Sequence, residues 1–289
     1  MKKYVILIPV YNDWQSLQKL LENIDFYISK WDVEVSVFII NDASKEKCPF
    51  SKLSFKAIKS AKVINMKQNR GHARCNAAGL KYLTENENFD HVILMDGDGE
   101  DRPEELTSLF NKSKENPYMS VTANRIKRSE GPLFKLLYEF HKILTYIFTG
   151  RLIKFGNYSC LLKKDAEQLV KDPSIWSSFS GSVTKVIPQR VSVPSIRGIR
   201  YFGPSQMNLY SLLIHSFSII AVFKMSAIIR SILFLIFYLF IVSNNLSFIT
   251  SIPVLTIVIF ILLVLKISLR ENIEELNNSL KNINNIETL

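Results

Sequence analysis

Two apolar runs near the C-terminus set the first limit on what this chain can fold into. Met225 to Ser243 is apolar except for Arg230 near its start, and Leu246 to Leu265 is apolar throughout, with Pro253 inside it. Each reaches about 20 residues, the length that crosses about 30 Å of hydrocarbon as a helix. Buried core helices of a soluble domain fit runs of this length poorly. Between the runs Asn244 and Asn245 make an uncharged turn, while the outer flanks carry Lys224, Arg230, Lys266 and Arg270. Cytoplasmic segments carry the excess of Lys and Arg, so both flanks belong in the cytosol. The expected plan is a cytosolic domain over 1–210, an interfacial amphipathic helix over 211–224, a transmembrane hairpin over 225–265 and a cytosolic tail over 266–289. That makes a multi-pass protein of the cytoplasmic (inner) membrane with its main domain facing the cytosol. A net charge of +10 alone suggests nucleic acid, anionic lipid or phosphorylated substrates. A hydrophobic fraction of 47%, crowded toward the C-terminus, turns the choice from nucleic acid to the membrane.

The first 210 residues carry an alternating pattern. Residues 4–8 are a continuous apolar run, as in a strand buried on both faces. The run after Met1-Lys2-Lys3 has a superficial likeness to a signal peptide, but it stops at Pro9 and no small-residue cleavage site follows. After Asn12-Asp13, Trp14, Leu17, Leu21 and Ile24 recur at helical spacing. Further strands are expected at 33–40, 62–66, 91–95 and 119–123, with helices over about 73–83 and after Pro103. Strands alternating with helices imply a mostly parallel sheet covered on both faces. The polar loops holding Asn12, Asp42, Arg70 and Asp96 all follow strands and converge on one rim. From Pro132 to Thr149 a broad apolar helix face suits either a core helix or an interfacial one, and Ser211 to Phe223 is a second such segment. The tail from Glu271 to Leu289 is polar and Asn-rich, expected as a helix or a frayed end. Cys48, Cys75 and Cys160 lie too far apart for a zinc or redox motif, and the four histidines form no cluster, so each is read as structural.

The densest chemistry lies in Asp96-Gly97-Asp98-Gly99-Glu100-Asp101, directly after the apolar run His91 to Met95. Carboxylates this close repel unless a cation sits between them. Mg²⁺ and Mn²⁺ suit such oxygen ligands and are usually held by one or two carboxylates plus substrate phosphates. A solvated acidic turn opening a helix at Pro103-Glu104-Glu105 is the plainer alternative. No Gly-x-Gly-x-x-Gly follows the first strand and no Walker lysine loop is present, which leaves dinucleotide and NTPase folds unsupported.

Ile8-Pro9-Val10-Tyr11-Asn12, Asn41-Asp42-Ala43-Ser44, Asn69-Arg70-Gly71 with Ala77 and Gly79, and Asp96-Gly97-Asp98 with Asp101 and Pro103-Glu104 together resemble family 2 glycosyltransferases. That resemblance implies the GT-A fold, a Rossmann-like mostly parallel sheet, here followed by the two-helix hairpin. It implies a nucleotide-sugar donor bound by Pro9, Tyr11, Asn12, Asp42, Arg70, Gly71 and Asp96. Asp96, Asp98 and Asp101 would be catalytic, and Asp98 with Asp96 would hold Mg²⁺ or Mn²⁺. Arg125-Ile126-Lys127-Arg128, the run Arg197 to Ser205 and the closing anchor resemble the polyprenyl-phosphate branch. Arg125, Arg128, Arg197, Arg200 and Ser205 would then bind an acceptor phosphate. The implied activity is metal-dependent, inverting transfer of a sugar from a nucleotide-diphosphate donor, expected to be UDP-linked, to polyprenyl phosphate, and the branch resemblance also implies self-association. The other readings are transfer to a hydroxyl of a lipid-linked glycan, and an inactive nucleotide-sugar-binding partner of a membrane assembly.

One departure bears on the acceptor. Many relatives carry Gly-Asp-Phe-Arg where this chain has Gly156-Asn157-Tyr158-Ser159. A hydroxyl acceptor needs a general base there. A phosphate monoester, with its second pKa about 6, is mostly dianionic at neutral pH and does not. For the topology, a cysteine placed at Asn245 should be labelled in intact cells by an impermeant reagent, and one placed after Arg270 should not. The opposite pattern contradicts the orientation.

Overall fold

The computed structural model describes residues 1–50, 53–127, 132–204, 209–245 and 247–289. The strands are β1 (Lys3–Val10), β2 (Glu34–Asn41), β3 (Ile58–Met66), β4 (His91–Leu94), β5 (Ser120–Lys127), β6 (Phe155–Leu162), β7 (Arg190–Ile196) and β8 (Ile283–Thr288). They form one sheet in the order β7-β5-β6-β4-β1-β2-β3-β8. β4, β1, β2 and β3 run parallel, and β6 is antiparallel to both of its neighbours, β4 and β5. The carboxyl ends of β1, β2, β3, β4 and β5 therefore meet at one rim, where open α/β sheets bind ligands.

Both faces of the sheet are covered. α1 (Trp14–Ile28) starts where the Asp13 side chain accepts from the Ser16 amide at 3.4 Å. It buries Leu17, Leu20, Leu21 and Ile24 against Ile6, Ile8, Val37 and Ile39, together with α3 (Leu106–Glu115). The opposite face, with Val5, Leu7, Phe38 and Ile40, packs against α2 (His72–Asn86), α5 (Lys163–Leu169) and α6 (Phe179–Val186). α2 lies flush on the sheet because residue 79 has no side chain: a Cβ there would stand 2.6 Å from Ile40.

The remaining helices are α4 (Pro132–Thr149), α7 (Leu209–Val222), α8 (Lys224–Val242), α9 (Phe248–Ser268) and the short α10 (Ile273–Asn277). α8 and α9 pair with each other, and α9 opens on a capping box in which Ser247 and Thr250 satisfy each other's backbone amides. Their outer surfaces are bare hydrocarbon: Phe237 is 64% and Phe240 79% exposed. α7 differs from a plain surface stripe. Its last turn, Ser218 to Val222, is buried, and Val222 fills the space beside Gly181 of α6.

The C-terminal tail corrects the sequence expectation. It is neither a longer helix nor a frayed end: after α10 it joins the sheet as β8, antiparallel to β3, with Lys62 opposite Thr288 and Met66 opposite Ile283. Alternation in Ile283-Asn-Asn-Ile-Glu-Thr is too weak to announce a strand, because an edge strand with most residues exposed needs no continuous apolar face. β6 and β7 also went unread, being interrupted by polar residues such as Asn157 and Ser159 in the first and Ser192 and Ser195 in the second.

His91 is structural. Its ring stacks on Tyr4 at 4.5 Å between centroids, and both ring nitrogens are buried without a partner among the described residues. Burial, helped by Lys2, holds its pKa down to about 4, from 6.5. Above pH 6.5 the ring is neutral in the folded and the unfolded chain alike and adds no pH dependence. As pH falls through that window the unfolded chain takes a proton that the fold refuses, and stability drops by up to about 3 kcal/mol. His91→Phe, which keeps the stack, should flatten the fall in thermal midpoint between pH 7.5 and pH 4.5. An unchanged pH profile contradicts this assignment.

Candidate active site

The rim is built from four strand ends. After β1, Asn12 adopts the left-handed conformation (φ 51°); its amide donates to Ser44 Oγ at 2.8 Å and its Oδ1 accepts from the Lys45 amide at 2.8 Å. That ties the first loop to the loop after β2. Tyr11 stands half exposed beside it, and Pro9 is buried within β1. Asp42, buried at the end of β2, accepts from the amides of Arg70 and Gly71, both at 2.9 Å. Burial pushes its carboxyl up against the pull of those bonds. Gly97 sits tight on β1, where a Cβ would come within 2.9 Å of the Pro9 carbonyl.

The acidic turn after β4 is the centre of charge. The Asp96 amide donates to Asp101 Oδ2 at 2.9 Å, and Asp98 Oδ1 accepts from the Glu100 amide at 3.0 Å, so the turn closes on its own carboxylates. Burial raises the pKa of Asp98, and the neighbouring Asp96 charge adds to it. Asp101 is raised in the same way by burial and Asp96. Burial also opposes charge on Asp96, but His72 outweighs it, with help from Arg197 and Asn157, and holds Asp96 below the usual carboxylate range.

Three of the five arginine and serine positions expected to face an acceptor lie directly against this turn. Arg200 donates from Nη1 to Asp98 Oδ2 at 3.1 Å and from Nη2 to Asp13. Arg197 pairs with Glu100, and Arg125 Nη2 stands 3.7 Å from Asp101 Oδ1. Arg128 and Ser205 lie outside the described residues. The loop carrying Arg197 and Arg200 is fastened by its backbone: the Gly198 amide donates to Glu100 O at 2.8 Å and the Tyr201 amide to Asp98 O at 2.9 Å. Gly99 has φ +88°, and a Cβ there would stand 2.6 Å from the Tyr201 ring, so this contact needs glycine twice over.

Sequence reasoning passed over two members, His72 and Asp13, and left the partners of Asn157 open. His72, read as structural, places Nε2 3.2 Å from Asp96 Oδ1. Asn157 Nδ2 lies 3.0 Å from the same oxygen and 2.6 Å from the imidazole. Desolvation works against a charged His72, and the Asp96 carboxylate overcomes it to raise the pKa. Asp13, read only as a helix cap, also receives Arg200. The available signal was adjacency: His72 follows Asn69-Arg70-Gly71 and Asp13 follows Asn12.

Among the described residues no group of three or more His, Cys, Asp or Glu side chains is arranged to enclose a metal ion. Asp96 and Asp98 offer two carboxylates, the first held low by His72 and the second raised by burial and then by the Asp96 charge. That donor set fits Mg²⁺ or Mn²⁺ completed by phosphate oxygens and water, and does not fit a closed all-protein cage.

A GT-A-type sheet with a carboxylate turn at its rim defines the class, and the chain belongs to glycosyl transferase family 2, whose model matches residues 5–168. Its fold is similar to that of glucosyl-3-phosphoglycerate synthase from Mycobacterium tuberculosis in complex with Mn²⁺, UDP-glucose and phosphoglyceric acid (TM-score 0.52, 12% identity, covering 78% of this chain and 80% of that one). It is also similar to mannosyl-3-phosphoglycerate synthase from Rubrobacter xylanophilus (TM-score 0.54, 11% identity, covering 76% and 72%).

Asp98→Asn should leave the fold intact, because its amide oxygen can still accept from Glu100. Sugar transfer should fall by about 10²–10³, the usual cost of one strong electrostatic stabiliser. Initial rates with and without excess chelator test this, and full turnover under either condition contradicts it.

Proposed function

We propose that this chain moves a sugar from a nucleoside diphosphate donor, UDP-linked, to polyprenyl phosphate at the cytoplasmic face of a membrane. The observation that carries the reading is the pairing of β8 with β3 across the apolar hairpin. The chain leaves the sheet, runs out along α8, returns along α9 and re-enters the same sheet. If α8 and α9 span a bilayer, both hairpin ends must lie on the side that holds the acidic turn. The site then faces a lipid surface and the soluble donor pool at once.

The geometry supports the following roles. Tyr11 and Asp42 frame the donor's nucleoside, and Asp98 with Asp96 holds Mg²⁺ or Mn²⁺ against its diphosphate. When bound, the cation supplies positive charge to the departing diphosphate. The similar M. tuberculosis synthase, crystallised with Mn²⁺ and UDP-glucose, supports that donor chemistry. Arg200 and Arg197 present planar forks that suit an acceptor phosphate, a geometry lysine cannot copy. Asn157 occupies the position of the carboxylate common in relatives, and its amide is spent on Asp96 and His72. No carboxylate at 157 is available as a base. A phosphate dianion needs none and can attack the anomeric carbon directly, with inversion.

Membranes containing the protein, incubated with a panel of labelled nucleotide sugars, should transfer label from one of them into a solvent-extractable lipid that mild acid releases. Phosphoglyceric acid, the acceptor bound in the similar structure, serves as the competing soluble acceptor. Label in a water-soluble phosphoglycerate product, or in free sugar alone, contradicts the lipid acceptor.

A further inference from the structure

A basic cavity lies beside β5 and β7, at the β7 edge of the sheet. Along β5 side chains alternate between faces. Arg125 points to Asp101, whereas Thr122 and Asn124 line a cavity of about 340 Å³ with Lys154, Arg190 and Ser192. Among the described residues no acidic side chain lines it. Arg190 is held rigidly: Nη1 donates to Ile187 O at 2.8 Å, Nη2 to Thr184 Oγ1 at 3.4 Å, and the guanidinium lies 5.1 Å over the Phe155 ring. Burial first, and the nearby Arg151 charge second, press on its positive form. Among the described residues no carboxylate forms an ion pair with Arg151, Lys154 or Arg190. Like charges held together without a counter-ion favour an anion, as the carboxylates of the acidic turn favour a cation.

The position of the cavity indicates the kind of anion. The segment leading into it leaves α4 at Thr149, whose carbonyl accepts from Ser226 Oγ of α8 at 3.2 Å. Arg230 of α8 donates to Ile147 O at 3.1 Å. Lys154 is five residues on, within about 18 Å of chain from that clamp at the greatest extension. Leu152, on the lip, is an exposed apolar side chain.

We propose that this cavity binds the phosphate of an anionic lipid headgroup, with Lys154 and Arg190 supplying the charge at its wall, Arg151 adding charge from beside Arg190, and Thr122, Asn124 and Ser192 the neutral hydrogen bonds. It is separate from the acceptor site and would fix the tilt of the catalytic sheet on the bilayer. The lipid source rests on the membrane reading above; the anion site itself does not.

The test is calorimetric titration of the purified full chain in neutral detergent with dihexanoyl phosphatidylglycerol, dihexanoyl phosphatidylcholine and inorganic phosphate. Wild type is compared with Arg151→Gln/Lys154→Gln, two exposed positions that spare the Arg190 scaffold. Phosphatidylglycerol should bind at one saturable site, weaken as salt rises, and lose about thirtyfold in the double variant, from the usual contribution per basic residue near an anionic surface. Equal binding of phosphatidylcholine, or equal phosphatidylglycerol affinity in wild type and variant, overturns the proposal. Inorganic phosphate binding as tightly as phosphatidylglycerol overturns the lipid source. Extraction of the wild-type chain from membranes by alkaline carbonate tests the membrane reading separately, since detergent titration does not depend on it.

Discussion

Repulsion between the carboxylates of the turn after β4 is the constraint on which the site depends. Asp96, Asp98 and Asp101 are brought together by a short, fully buried strand, and the Asp101 side chain is drawn inward to accept from the Asp96 amide. Such a cluster stands only if positive charge surrounds it. Arg125 comes from β5, Arg197 and Arg200 from the loop after β7, and His72 from the start of α2. Elements distant in sequence are thus held at one rim by a common electrostatic need. The same arrangement leaves Asp96 and Asp98 at the surface of the cluster, where a divalent cation and a diphosphate can meet them.

The second constraint is mechanical. The hairpin of α8 and α9 is not a loose anchor, because β8 returns the chain to the edge of the catalytic sheet and α10 packs near α2. Trp176 Nε1 donates to Glu275 Oε2 at 2.8 Å, and Lys67 donates its backbone amide to Asn282 O at 2.7 Å, so the tail is fastened along its length. Ser226 and Arg230 fix the first of the two helices to the carbonyls at the end of α4. Any tilt of the hairpin is therefore transmitted to the sheet at two places.

Much of this was legible in the sequence, for reasons that can be named. Stretches buried on both faces, such as 4–8 and 37–40, are continuously apolar, and polar residues after them mark the rim. The pair Asp96 and Asp98 stood out because carboxylates this close, directly after a buried apolar run, point to a cation. What stayed hidden depended on pairing at a distance. β8 has no apolar face of its own, and its strand character comes from the free edge of β3. Asn157 meets Asp96 only because β6 runs antiparallel beside β4 and carries residue 157 to the rim, and His72 only because α2 starts at that rim. Arg200 has no visible partner in sequence, since Asp98 lies 102 residues away.

The most direct measurement is binding of Mn²⁺ to the purified chain, followed by electron paramagnetic resonance, with and without UDP. Two carboxylates alone make a weak site, so Mn²⁺ should bind feebly to the free protein. UDP should tighten it by about tenfold or more as phosphate oxygens complete the coordination. Nucleotide that binds equally well in the presence of chelator, with Mn²⁺ indifferent to UDP, would contradict the view that Asp96 and Asp98 exist to hold a cation against a diphosphate.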